Sequence, residues 1–93
     1  MKIFIEFMWT IAEKIGRKYI WIDLEETDVK VQDIFQKTLP KIVGKEIGEI
    51  LYNMYLNEEV IVVVNGVVAK DPTTKLNDGD RILILVQPLA SGG

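Results

Sequence analysis

The sequence contains no cysteine and no histidine. Their absence excludes disulfide bonds, thiol nucleophiles, imidazole bases and the common zinc ligands. Nucleophilic or general-base chemistry would have to rest on carboxylates, lysines or hydroxyl groups, and we expect no metal site. No apolar run approaches the roughly 20 residues that a helix needs to cross a bilayer. We therefore expect no membrane-spanning segment.

The size and charge of the chain narrow its class further. The 93 residues allow one domain, and a content of 48% hydrophobic and 27% charged residues is typical of a globular protein. The net charge is −3 and the lysines are scattered singly, which gives a nucleic-acid partner little electrostatic support. The first six residues include Glu6 and lack a small-residue cleavage site, so we expect no secretory signal and a cytoplasmic location.

Two segments near the start alternate apolar and polar residues with the period of a β-strand, residues 2–9 and residues 19–25. Residues 10–18 connect them with room for one or two helical turns, which predicts a hairpin with a long connection. The apolar faces carry Ile3, Ile5, Phe7 and Trp9 in the first strand and Ile20, Ile22 and Leu24 in the second.

The opposite faces of these two strands carry Phe4, Met8, Tyr19 and Trp21. Two interpretations remain open for them. Residues 10–18 or residues 41–59 could cover these side chains, or the face could stay open and bind partners.

Helical spacing follows. Val31, Ile34, Phe35 and Leu39 recur at intervals of three and four residues, which predicts an amphipathic helix. Thr27 or Asp28 can cap its start, and Pro40 is predicted to end or kink it. The shared core is predicted to contain Ile3, Ile5, Ile20, Ile22, Ile34, Phe35 and Leu39.

A second helix is predicted after Gly44. Gly48 inside it costs about 1 kcal/mol relative to alanine. The face that we expect to be buried carries Ile47, Ile50, Leu51, Met54 and Tyr55.

Strands return in the last third. The apolar run 60–64, the turn Asn65-Gly66 and the short run 67–69 predict a tight hairpin, because both turn residues tolerate positive φ. The segment 81–86, which is unbroken in its apolar character after Arg81, predicts a strand buried on both faces. Pro88, which has no N–H to donate, is expected to stop strand pairing.

Two acidic patterns have alternative interpretations. Asp78-Gly79-Asp80 could suggest a cation site, but a calcium loop needs more ligands, which favours a turn. The acidic stretch 23–28 fits a solvated helix start better than a docking site.

The end of the chain carries a resemblance. The sequence Leu76-Asn77-Asp78-Gly79-Asp80-Arg81-Ile82, then an apolar strand, then Pro88-Leu89-Ala90-Ser91-Gly92-Gly93, resembles the small subunit of molybdopterin synthase. That family includes the thiamine-biosynthesis sulfur carrier and the ubiquitin-related modifiers. Asn65-Gly66 and the segment 31–35 also match the family pattern, whereas the stretches 41–59 and 80–92 are longer than in the family.

The resemblance implies an α+β fold of the ubiquitin-like β-grasp type, a mixed sheet of four to five strands with helices on one face. It implies a domain over residues 1–87 and a flexible diglycine tail over residues 88–93. In the family, an E1-like enzyme adenylates the terminal carboxylate with ATP, and sulfur then replaces AMP to give a thiocarboxylate. The large subunit of molybdopterin synthase uses that sulfur to build molybdopterin.

Carried to this sequence, the reacting group is the carboxylate of Gly93, preceded by Gly92. The residues expected to contact partners are Pro88, Leu89, Ala90, Ser91, Phe4 and Trp21. The chain is expected to have no catalytic activity by itself and to bind no cofactor, since the partner enzyme uses the ATP. Three alternatives stay open: a modifier conjugated to lysines, a sulfur carrier for tRNA thiolation or thiamine synthesis, and a plain interaction domain.

Overall fold

The computed structural model describes residues 1–8 and 10–87. Within them, a five-stranded sheet is covered on one face by helices. The strands are β1 (Lys2–Phe7), β2 (Tyr19–Asp23), β3 (Val60–Val64), β4 (Val67–Val68) and β5 (Arg81–Val86). The helices are α1 (Thr10–Ile15), α2 (Val31–Asp33), α3 (Leu39–Val43) and α4 (Lys45–Leu56), with a π-helical segment at Ile34–Thr38. None of these helices is long and apolar enough to span a bilayer.

The strand order is β2-β1-β5-β3-β4, so the last strand in sequence lies at the centre of the sheet. The β1–β5 pair is parallel, and the other three pairs are antiparallel. The prediction of one mixed sheet with helices on one face is therefore confirmed.

The alternation in the first strand is confirmed, because Ile3, Ile5 and Phe7 are all buried. The strand ends at Phe7, two residues earlier than predicted, and Trp9 lies outside the described residues. The connection to β2 contains α1, as the length of the connection allowed. Gly16 follows this helix with a φ of 80°, a conformation that side chains with a Cβ rarely adopt.

The predicted cap of the first long helix is wrong. Neither Thr27 nor Asp28 caps it, because the helix begins at Val31 with Lys30 at the cap position. The Val31 N–H donates to the Thr74 carbonyl oxygen at 3.0 Å, and the Leu76 N–H donates to Val29 O at 2.8 Å. This pairing holds the chain extended before Val31 and delays the start of the helix.

Pro40 does not end the helical run, which continues to Val43. The irregularity lies just before it, where the Leu39 N–H donates to the Ile34 carbonyl five residues back. Proline is tolerated in the first turn of a helix because it needs no hydrogen-bond acceptor there. Pro40 therefore sits at the start of α3, and the distortion is a π-helical segment.

α4 follows Gly44, as predicted. Leu51 and Tyr55 are buried, and Ile47 and Met54 are half-buried against the core. Ile50, which we expected on the buried face, is instead 48% exposed.

The second hairpin and the central strand complete the sheet. Asn65 and Gly66 have φ values of 50° and 85°, which confirms the predicted turn between β3 and β4. Burial of β5 on both faces is wrong, because Ile82 and Ile84 are buried whereas Leu83 and Leu85 are only half-buried. An apolar run marks a two-faced core strand only when both faces of the sheet are covered.

All seven predicted core residues pack in one cluster, in which Ile22 is half-buried and the other six are buried. Phe35 lies near its centre with 1% of its surface exposed. Its ring stacks on Tyr55 at a centroid distance of 5.1 Å.

Candidate functional site

The face of the sheet away from the helices, called here the open face, carries a row of three side chains across three strands. The register pairs Phe4 with Trp21 on one side and with Arg81 on the other. The rings of Phe4 and Trp21 lie 4.6 Å apart, and the Arg81 guanidinium carbon lies 5.1 Å from the Phe4 ring centroid. Trp21 keeps 71% of its surface exposed. This row offers an aromatic surface with one cationic group.

A second row runs parallel to the first. The register places Tyr19 opposite Glu6, Glu6 opposite Leu83, and Leu83 opposite Val63. Tyr19 is 59% exposed and lies 5.6 Å from the Phe4 ring, so the two rows are in contact. The open face thus carries aromatic rings on β1 and β2 and aliphatic side chains on β5 and β3. The charged groups of Glu6 and Arg81 lie among them.

The turn before β5 is fixed by carboxylates. Asp80 is buried, and its two oxygens accept hydrogen bonds from Asn65 Nδ2 and from the Asn77 N–H, both at 2.8 Å. Asn65 Oδ1 in turn accepts the Arg81 N–H at 2.9 Å. The Asp78 carboxylate accepts the Lys2 N–H at 2.6 Å. The turn interpretation of residues 77–80 is therefore confirmed, and the described residues contain no group of side chains that could hold a metal ion.

The exit of the chain from the sheet is held by backbone hydrogen bonds. The Gln87 N–H donates to Glu59 O at 2.9 Å, which continues the β3–β5 pairing one residue beyond the strand. The Met8 N–H donates to Ile84 O on the other side of β5 at 3.0 Å. The end of β5, just before the predicted tail, is therefore hydrogen-bonded to the chain on both of its sides, at Glu59 and at Met8.

The acidic stretch 23–28 is exposed at each of its acidic positions, as predicted, but it is not a helix start, because α2 begins only at Val31. Asp23 lies 3.8 Å from the N-terminal ammonium group, and Asp28 lies 3.5 Å from Lys75 Nζ. Both pairs join exposed carboxylates to cations, and such pairs contribute little to stability.

Two groups have shifted pKa values, Tyr55 in α4 and Asp71 in the loop after β4. The Tyr55 hydroxyl donates to Ala69 O at 2.8 Å and ties α4 to the end of the second hairpin. Burial, followed by the electrostatic effects of Asp71 and of the neighbouring Tyr52, raises the pKa of Tyr55 from 10.0 to about 12. Hydrogen bonds from the hydroxyl and N–H groups of Thr73 hold the pKa of Asp71 below its usual value.

Several solved structures share this architecture. A candidate molybdopterin converting factor subunit 1 from Pyrococcus furiosus superposes with a TM-score of 0.72 at 19% identity, over 95% of this chain and 99% of that one. Small archaeal modifier protein 1 from Haloferax volcanii superposes with a TM-score of 0.68 at 20% identity, over the full length of both chains. The Methanosarcina acetivorans protein of that name gives 0.66 at 19% identity, over 99% of this chain and 96% of that one.

The chain has the ubiquitin-like β-grasp fold. No family model matches the sequence, and no curated protein matches it. The structural neighbours are of the kind that the resemblance in the sequence implied.

In this β-grasp domain the two predicted surface contacts, Phe4 and Trp21, lie side by side on the open face. The interpretation in which residues 10–18 or 41–59 cover Trp21 is wrong, since the indole is largely exposed. The predicted tail contacts Pro88, Leu89, Ala90 and Ser91, with Gly92 and Gly93, lie outside the described residues.

Sequence reasoning missed Arg81 and Leu83 as members of the open face. The signal was present, because alternation from the charged Arg81 places Arg81, Leu83 and Leu85 on one face of β5. The unbroken apolar character of the following residues concealed that alternation.

Proposed function

We propose that this chain is a sulfur carrier whose terminal carboxylate, on Gly93, is adenylated by an E1-like enzyme and converted to a thiocarboxylate that supplies sulfur for molybdopterin synthesis. The observation that carries the proposal is the combination of fold and sequence. The central strand of a β-grasp domain leads to a chain end of sequence Gly92-Gly93. The likeness to a candidate molybdopterin converting factor subunit supports this choice of pathway.

The chemistry fits a chain without histidine or cysteine. A carboxylate is a poor electrophile, and transfer of AMP from ATP makes its carbon reactive while pyrophosphate leaves. Hydrosulfide from a sulfur donor then attacks the acyl carbon and AMP leaves, which gives the thiocarboxylate. Gly92 and Gly93 have no side chains, so this sequence suits a narrow channel and backbone angles that other residues avoid. The chain supplies position, and the partner supplies the catalytic groups.

We place the docking contacts on the open face and along the tail. Phe4 and Trp21 form an aromatic pair in which Phe4 is half-buried and Trp21 is largely exposed. Aromatic side chains are prominent among the residues that dominate binding energy. In this proposal they contact the E1-like enzyme or the large subunit of molybdopterin synthase. Pro88, Leu89, Ala90 and Ser91 would contact the partner through their backbone as the tail enters its active site.

A second candidate function has support of its own. The likeness to two small archaeal modifier proteins favours a role in which Gly93 is joined to lysines of other proteins. The same activated carboxylate serves both roles, with lysine in place of sulfur as the nucleophile. Sulfur delivery for tRNA thiolation or thiamine synthesis would use the same chemistry with a different recipient.

Mass spectrometry of the chain after incubation with its E1-like partner, ATP and a sulfur donor tests the proposal. The wild type should exchange one terminal oxygen for sulfur. Deleting Gly93, or adding one residue after it, should abolish the exchange because the carboxylate is misplaced, and an error of about 1 Å can cost on the order of a hundredfold in rate. Glu46→Gln, an exposed change on α4, is the matched control and should react like the wild type.

The outcomes separate the candidates. Wild-type protein that stays unmodified with its own E1-like partner would reject the carrier role. Conjugates to lysine without any thiocarboxylate would establish the modifier role in its place. Circular dichroism of both tail variants should match the wild type, since neither change touches the described core.

A further inference from the structure

The two edges of the sheet differ in how much backbone they expose. The edge strand β4 has only two residues, whereas β2 has five and pairs on one side only within the described part of the chain. Natural proteins shorten edge strands or guard them with charge, proline or bulges, because an open edge accepts another strand. β2 carries Tyr19 and Trp21, both largely exposed, and its one charged residue is Asp23.

The register shows which backbone groups of β2 face outward. Lys18 O accepts the Phe7 N–H at 2.7 Å, and the Leu24 N–H donates to Met1 O at 2.7 Å, so both residues direct these groups toward β1. Backbone direction alternates along an antiparallel strand. The N–H and C=O groups of Tyr19, Trp21 and Asp23 therefore point away from β1.

This edge is complementary to itself when two copies run antiparallel. With Trp21 opposite Trp21, Tyr19 of each copy lies opposite Asp23 of the other. These three residues are the ones of β2 whose backbone groups point outward. Two residues further along, Arg17 would lie opposite Glu25, and both are exposed. Opposite charges across a strand pair stabilise it, and aromatic pairs do so as well.

We propose that β2 is a self-association site, at which two copies of this chain pair antiparallel about a twofold axis at Trp21. The two sheets then form one continuous sheet with both open faces on the same side. The interface is isologous, so the Trp21 pair on the axis occurs once and each favourable contact away from the axis occurs twice. A single pair of five-residue strands buries less than the roughly 1,000 Å² of a stable interface, so the dimer forms only at high protein concentration.

Reversing the charges at Arg17 and Glu25 by mutation tests the register of the proposed β2–β2 pair. Sedimentation velocity from about 1 µM to about 1 mM should show the wild type passing from monomer to dimer, the range expected of a weak interface. Arg17→Glu places two carboxylates opposite each other and should weaken the dimer about tenfold, as like charges do across a strand pair. The double variant Arg17→Glu with Glu25→Arg restores opposite charges and should restore the wild-type dissociation constant.

A readout at the backbone identifies the edge independently of these side chains. Hydrogen exchange of the amides of Tyr19, Trp21 and Asp23 should slow as the wild-type concentration rises. The amides of Val67 and Val68, on the other edge, should not change. This measurement needs no variant to fold.

Three results would overturn the proposal. The chain could remain monomeric at about 1 mM, well above the range in which weak interfaces associate. It could dimerise without protecting the β2 amides, which would place the interface elsewhere, for example on the open face. The double variant could also fail to regain the association that Arg17→Glu loses.

Discussion

Gly48 offers a sharp test of the packing between α4 and the segment around Pro40. Glycine inside a helix is normally a weakness, and replacing it with alanine contributes about 1 kcal/mol of helix propensity. Gly48 is buried, however, and a Cβ added there would lie 2.9 Å from Pro40 Cγ, 3.2 Å from Phe35 O and 3.3 Å from Pro40 Cδ. The two effects have opposite signs, so the structure decides which is larger.

The contact distances predict that steric strain wins. Nonbonded carbon atoms prefer separations of about 3.5–4.0 Å. The distance between the new methyl group and Pro40 Cγ would therefore have to increase by roughly 0.6 Å. Neither neighbour can rotate away, since one is a ring closed onto the backbone and the other is a backbone carbonyl. Overpacking typically costs about 1–3 kcal/mol. We expect Gly48→Ala to lower the free energy of unfolding by about 1–2 kcal/mol after the gain in propensity.

Urea unfolding followed by circular dichroism measures the change. Glu49→Ala, at the next and exposed position of α4, is the control and should stay within about 0.5 kcal/mol of the wild type. In a Pro40→Ala background the cost of Gly48→Ala should shrink, because two of the three close atoms are gone. A Gly48→Ala variant more stable than the wild type would refute the close approach of these helices.

The remaining predictions concern the core, the open face and the one strongly shifted group. Phe35→Ala should cost about 3–5 kcal/mol in urea unfolding because the ring is buried, and a loss under about 1 kcal/mol would contradict its place in the core. Trp21→Glu should leave the melting temperature nearly unchanged and weaken binding to the E1-like enzyme or large subunit in calorimetry; an unfolded variant would mean that the indole is part of the core. The folded-state pKa of Tyr55 is raised, so the stability it contributes is full below pH 10 and lost as the pH rises through about 12. Relative to Tyr55→Phe, the wild type should lose up to about 3 kcal/mol over that window, and equal pH profiles would contradict the shift.

Local patterns in the sequence predicted the elements whose environment is local. Alternation located β1 and β2 because only one face of the sheet is covered, and Asn65-Gly66 predicted its turn because positive φ is a property of those two residues. The order of the elements then left few ways to pack one sheet under one helical layer, and the β-grasp is among them.

The sequence-based predictions were wrong where contacts between distant parts of the chain determine the local structure. The first long helix begins at Val31 because Thr74 and Leu76 pair with the residues around its start, more than 40 positions away. Pro40 lies within a continuous helical run because a π-helical segment precedes it, which no spacing of apolar residues indicates.

The site was predicted only in part. Alternation in the two strands places Phe4 and Trp21 on the face opposite the isoleucines, so their shared face was predictable. Their direct pairing was not, because it depends on the β1–β2 register, which is set by the eleven residues between Phe7 and Tyr19. Arg81 completes the row only because β5 enters the sheet beside β1, a pairing of the two ends of the chain.

That parallel pairing of the first and last strands has a mechanical consequence. A pull on the residues after Gln87, resisted at Met1, would slide β5 along β1 instead of peeling it away. The evenly spaced hydrogen bonds of a parallel pair would then share the force and have to break together. We expect the domain to resist a force applied between its ends much better than a force that pulls β4 away from β3. The two residue pairs that join β4 to β3 can open one after the other.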